Sequence, residues 1–175
     1  MKPSRLTITF ILIFSLLLSG CFATTEEKQE QATEKDMRYN LASIGTNQSN
    51  KDRDFVELAK TTIRSAQRLI GELEQGLGEA QGHDELHEVQ EMMVQANQDL
   101  LYLWNRANNE VEPDHPELKK FKAKLVHVIG EYRLGLSTEL EGMEVGNPSQ
   151  LREGYQLSMK AWHELQQVAE DAQKL

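Results

Sequence analysis

Cysteine is almost missing from this 175-residue sequence: Cys21 stands alone. An intramolecular disulfide is therefore excluded, and so are Cys-x-x-Cys-His haem attachment and cysteine-rich zinc sites. A long hydrophobic run is missing too. The longest, Leu6 to Leu18, spans 13 residues with Thr7, Thr9 and Ser15 inside it. That falls short of the roughly 20 residues a helix needs to cross a bilayer. Positive charge is in deficit, with 19 Lys and Arg against 28 Asp and Glu and a net charge of −9. With no basic stripe, the chain is expected to repel nucleic acid. Gly-x-Ser-x-Gly, the phosphate loop and His-Glu-x-x-His are all absent, which argues against the enzymes that depend on them. No alternating β pattern competes with the helical period described below.

What is present begins at the N-terminus. Lys2 and Arg5 precede the short apolar run, and Leu18-Ser19-Gly20-Cys21 follows it. Positive residues, an apolar core of this length and small residues in that order are the parts of a secretion signal. The segment resembles the signal peptide and lipobox of bacterial membrane lipoproteins over residues 1–21. The resemblance implies cleavage between Gly20 and Cys21, and a diacylglycerol, with palmitate-type chains, on the Cys21 thiol. It implies a lipid-anchored protein on the extracytoplasmic face of the cell membrane. Two acyl chains give stable anchoring, each buried methylene contributing about 0.8 kcal/mol.

Three regions are expected: a cleaved signal over 1–20, lipidated Cys21 with a tether over 21–50, and a folded domain over 51–175. Phe22 to Asp36 is polar and charged, too poor in large apolar groups to order itself. As coil, residues 22–50 would reach about 30 Å. Met37, Leu41 and Ile44 interrupt this composition at helical spacing, with Tyr39 between them. They offer a piece that docks back on the domain. Lys2 and Arg5 leave with the signal, so the mature charge is about −11 and disfavours anionic lipid surfaces.

From residue 51 the apolar period predicts four helices, near 51–81, 85–110, 115–141 and 148–174. Phe55, Ala59, Thr62, Ala66, Leu69, Leu73 and Leu77 line one side of the first. Leu86, Val89, Met93, Ala96, Leu100, Leu103 and Ala107 line the second. Leu118, Phe121, Leu125, Val128, Tyr132, Leu136 and Leu140 line the third, and Leu151, Tyr155, Trp162, Leu165, Ala169 and Ala172 the fourth. Between them, Gly82-His83-Asp84, Pro113-Asp114-His115-Pro116-Glu117 and Gly146-Asn147-Pro148 carry helix-stop and helix-start chemistry. Asp84, Asp114 and Asn147 are the expected caps. Four similar helices with short connections predict an all-α, antiparallel up-down-up-down four-helix bundle on a flexible N-terminal tether.

Candidate chemistry is thin. A di-iron bundle repeats Glu-x-x-His on two helices, and only Glu112-x-x-His115 fits, with Pro113 inside it. His83, His87 and Glu91 follow one face but lack a further convergent ligand. Met92 and Met93 read as core filler. His127 and Glu131, one turn apart, read as a surface contact rather than an acid–base pair. No catalytic residue, metal or cofactor is assigned. Gly71 and Gly78 are seven apart off the apolar stripe. They invite either a partner helix or no partner at all.

Leu100-Leu101-Tyr102-Leu103-Trp104 is the most informative stretch, because five consecutive apolar residues wrap the whole circumference of a helix. Leu101, Tyr102 and Trp104 are then candidates for a patch that docks a protein partner. Alternatively, the Met37–Ile44 segment covers them. The expected function is a non-enzymatic protein-interaction module at the membrane surface. Small-ligand or metal binding within the bundle is the alternative.

Overall fold

The computed structural model describes residues 39–41, 44, 48–80 and 86–175. The signal, Cys21 and most of the tether, as well as His83 and the Gly82–Asp84 connection, lie outside these residues. The described part is all-helical, with α1 Asn50–Ala80, α2 Leu86–Asn109, α3 Pro116–Glu144 and α4 Pro148–Ala172, and no strand. The helices pack as a bundle around one apolar core. Phe55, Ile70, Met93, Leu100, Phe121, Leu125, Ile129, Leu136 and Leu165 are fully buried in it.

Local chemistry explains the ends. Ser49 caps α1 reciprocally: its Oγ accepts from the Asp52 N–H at 3.1 Å, and Asp52 Oδ2 accepts from the Ser49 N–H at 3.1 Å. This is a capping box with aspartate in the glutamate role. The turn from α3 to α4 combines two devices. Gly146 takes a φ of +64°, its N–H donates to Met143 C=O, and the Asn147 N–H donates to Gly142 C=O. That is a Schellman ending, which favours glycine at the left-handed position. Asn147 Oδ1 then caps α4 by accepting from Ser149 and Gln150 N–H. The α3 cap differs from the expected one. His115, not Asp114, is the cap residue, its Nδ1 accepting from Glu117 N–H at 3.2 Å. Asp114 and His115 instead donate their backbone N–H groups to Asp52 Oδ1, at 2.8 and 2.9 Å. One carboxylate of α1 thereby holds the last two residues of the α2–α3 connection.

The closest helix contact is between α3 and α4, and small residues make it. A Cβ on Gly135 would lie 2.6 Å from the Ser158 backbone nitrogen and 2.9 Å from Gly154 C=O. One on Gly142 would lie 2.6 Å from the Leu151 nitrogen, and one on Gly154 would lie 2.5 Å from the Glu139 nitrogen. Only hydrogen at these positions permits such backbone approach. The contact corrects the expected face of α4. Gly154, Ser158, Ala161, Leu165, Val168 and Ala172 are buried, whereas Tyr155 points outward. Gly71 and Gly78, by contrast, have open space where a Cβ would be, so nothing described approaches them.

The piece before α1 docks on the bundle. Tyr39 packs its ring edge-on against Phe121 at 5.3 Å and donates its hydroxyl to Asp171 Oδ2 at 2.7 Å. The Asn40 N–H donates to Glu117, and Leu41 is buried.

Two substitutions separate close approach from open helix. Gly135→Ala is expected to destabilise by about 1–3 kcal/mol, because overpacking against backbone outweighs the gain in helix propensity. Gly71→Ala is expected to stabilise by up to about 1 kcal/mol. Urea unfolding reads both. A third concerns Asp52, which is 4% exposed. Burial alone would raise its pKa, but the hydrogen bonds from His115, Ser49 and Asp114 outweigh burial and lower it. A depressed carboxylate contributes stability above its unfolded pKa and loses it as pH falls through the folded value. Asp52→Ala should therefore cost about 3 kcal/mol at pH 7. That deficit should shrink on acidification below about pH 4.

Candidate functional site

The α2 run that wraps its helix is divided by the bundle into three destinations. Leu100 and Leu103 enter the core. Trp104 is half-buried beside α3, its indole nitrogen 3.5 Å from where a Cβ on Gly130 would lie. Leu101 and Tyr102 face outward, 39% and 63% exposed. Arg106, one turn on, lies over the Tyr102 ring at 5.9 Å and is held from the other side by Glu110, Nε to Oε2 at 2.7 Å. The guanidinium–ring contact contributes about 0.5–1 kcal/mol at an exposed site and limits the freedom of the tyrosine. Val94 on α2 and Leu134 on α3 are also exposed. Tyr39 and Asn40 reach α3 and α4 through hydrogen bonds and a ring contact, whereas Leu101 and Tyr102 are exposed on α2.

The other sequence candidates do not converge. Glu112 pairs with Lys122, Nζ to Oε2 at 2.5 Å, while His115 caps α3. His87 meets Glu91 at 3.2 Å on an exposed face. His127 and Glu131 are half-buried on α3 with no hydrogen bond between them. Among the described residues no group of three or more His, Cys, Asp or Glu side chains is placed to hold a metal ion. No described helix is long and apolar enough to cross a membrane.

Two features were missed by reading periodicity. The first is a buried acid. Glu139 is 8% exposed where α3 and α4 touch, and Ser158 Oγ donates to its Oε1 at 2.6 Å. Burial raises the Glu139 pKa, and the Ser158 hydrogen bond only partly offsets this. Tyr132 is raised as well, by burial first and then by Glu74 and Glu139. The signal was present in the small residues Gly135, Gly142, Gly154 and Ser158, whose spacing marks a close crossing. The second is a groove of about 580 Å3 between α1 and α4. Its polar walls carry no hydrophobic pattern.

No protein-family model, curated protein or solved structure matches this chain.

The Glu139 environment has a sign opposite to that of Asp52. A carboxyl whose folded pKa is raised costs stability once pH climbs from the unfolded value through the folded one. Glu139→Gln keeps an acceptor for Ser158 and removes the charge. It is expected to be more stable than the parent at pH 7, and the difference should vanish in mild acid. Thermal unfolding across pH 4–8 checks this, and a gain independent of pH would assign the effect to packing.

Proposed function

We propose that this chain is a lipid-anchored extracytoplasmic lipoprotein whose helical domain is a non-enzymatic protein-interaction module. The location rests on the ordered signal, Lys2 and Arg5, the short apolar run and Leu18-Ser19-Gly20-Cys21. The interaction role rests on one observation: Leu101 and Tyr102 are exposed beside half-buried Trp104, with Val94 and Leu134 of the same two helices exposed as well. Aromatic anchors braced by an arginine are what partner proteins bury.

The bundle is of the antiparallel up-down-up-down kind on an N-terminal tether. Asp52 of α1 meets Asp114 and His115 before α3. Gln67 of α1 meets Gln166 of α4, Trp104 lies by Gly130, and Gly142 lies by Leu151. These pairings support neighbouring helices that alternate in direction. They would put the start of α1, the end of α2 and the end of α4 on the tether side. Lys51, Lys120, Lys122, Lys124 and Lys174 fall there, each ion-paired to an acid. Acids such as Glu72, Glu79, Glu88, Glu144 and Glu153 gather toward the other end. A near-neutral end beside anionic lipid and an acidic end away from it is the favourable orientation.

A photo-crosslinking probe at Tyr102 in living cells tests the docking role, with exposed Gln156 as control. A discrete heavier product from Tyr102 alone is expected. Adducts confined to the chain itself, or equal products from both sites, would refute docking at this face. The anchor is tested by palmitate labelling, which should mark the parent protein and spare Cys21→Ser.

A further inference from the structure

The α1–α4 groove has a charge arrangement unlike the rest of the bundle. Its floor is apolar, made by Ile63, Ala169 and Ala172. Gln67 Nε2 donates to Gln166 Oε1 at 2.8 Å and ties the two walls together. At about 580 Å3 the space lies within the usual range of small-ligand clefts, about 300–1,000 Å3.

On the α1 wall, Lys60 and Arg64 are one helical turn apart. Like charges at this spacing repel, and neither forms an ion pair among the described residues, although Arg64 Nε donates to Lys60 C=O at 3.2 Å. Lys122 and Lys124, buried or half-buried on α3, are by contrast both paired to acids. The α4 wall has the opposite sign. Glu170 stands in the last turn, where the helix dipole is already negative and a cation is the favoured neighbour. No basic residue occupies that turn. Asp171 beside it is compensated by Lys174 at 2.5 Å, whereas Glu170 forms no ion pair among the described residues. Glu57, on the α1 wall one turn before Lys60, adds a further acid to the lining and forms no ion pair among the described residues, so that wall carries two bases and one acid. The groove is thus net positive on the α1 side, negative on the α4 side and apolar beneath.

We infer that the α1–α4 groove binds a small zwitterion of the amino-acid or short-peptide class. Its carboxylate lies between Lys60 and Arg64, its ammonium faces Glu170, and its apolar part rests on Ile63 and Ala169. An anion alone would face Glu170 and the α4 carbonyls. A cation alone would face the lysine and arginine. Only a ligand bearing both charges satisfies both walls. This gives small-ligand binding a place at a helix seam, and it does not depend on docking at Tyr102.

Calorimetric titration of the purified full chain tests the assignment. The probes are leucine, trialanine, N-acetyl-trialanine and trialanine amide. Saturable binding of leucine or trialanine is expected, the tighter of the two naming free amino acid or peptide as the class. Each capped probe should bind at least tenfold more weakly than trialanine if the peptide is preferred. If leucine is preferred, N-acetyl-leucine and leucine amide take their place, with the same tenfold criterion. Arg64→Gln and Glu170→Gln should each weaken the preferred ligand at least tenfold with unchanged thermal unfolding, and Tyr102→Ser should leave binding intact. No saturable heat at 10 mM of any probe would overturn the inference. So would equal binding of capped and uncapped forms, or indifference to both groove substitutions.

Discussion

Backbone contact between α3 and α4 is the constraint on which the remaining geometry depends. Gly135, Gly142 and Gly154 let the two helices approach until main-chain atoms of one occupy the space a side chain would fill on the other. At that separation the seam has room for few side chains, and what remains inside must be small or pinned. Ser158 is the small one, and Glu139 is the pinned one. The carboxyl is thus a consequence of the crossing: its stem packs by Gly154 and its head finds one hydroxyl. The same crossing sets the rotation of α4 about its axis. With Gly154 and Ser158 turned inward, Tyr155 faces solvent. The α3–α4 contact is the most extensive in the bundle, and that between α1 and α4 is sparse. A pair drawn tightly together on one side of α4 leaves less of that helix to fill the other, where the groove lies.

Polar hubs hold the opposite corner, by a different physics. Asp52 accepts three backbone N–H groups from two segments far apart in sequence. Lys122, also buried, donates to Val111 C=O at 3.0 Å and pairs with Glu112. Each satisfies loop backbone that a side chain of α1 or α3 can reach and water cannot. A buried charge bound to several main-chain dipoles is costly to disrupt, because removing it leaves those donors unpaired. The Val111–His115 connection is therefore fixed to the bundle, with Pro113 buried at its centre. Tyr39 and Leu41 extend this corner by packing on Phe121 and reaching Asp171, so the chain is held to the bundle before α1 begins.

Helix number, helix class and most core residues were legible because aliphatic side chains at steps of three and four admit one reading. The bounds of α2 and α4 fell within a few residues of expectation, and the Gly146–Asn147–Pro148 break formed as its chemistry requires. The failures share a cause. Periodicity weighs large apolar residues, so it assigned Tyr155 to the α4 core and passed over Gly154 and Ser158, whose lack of bulk is what they contribute. The cap of α3 moved from Asp114 to His115 because Asp52 fixes both backbone N–H groups and Lys51 pairs with the Asp114 carboxylate, tertiary partners that local motifs cannot announce. The α1–α4 groove was illegible for the same reason: Lys60, Arg64 and Glu170 are ordinary surface charges until two helices set them across a gap. Leu101 and Tyr102 were legible as odd, since no single face can bury five consecutive residues, but only the fold shows which of the five stay outside.

An exposed pair such as Leu101 and Tyr102 is a small patch, and by itself it would bind a partner weakly. The proposed anchor changes that arithmetic. A lipid at Cys21 would confine the bundle to a layer set by the tether, where a partner in the same membrane is encountered at an effective concentration in the millimolar range. Under that condition a contact with a dissociation constant near 1 mM, about 4 kcal/mol, is already half occupied. The proposed docking face lies on α2 and the groove between α1 and α4, and α2 and α4 share no substantial contact. The two surfaces are therefore on separate flanks of the helical domain. A partner held at Tyr102 would leave the groove open to solvent, so the proposed anchoring, docking and ligand binding would be sterically compatible in a single molecule.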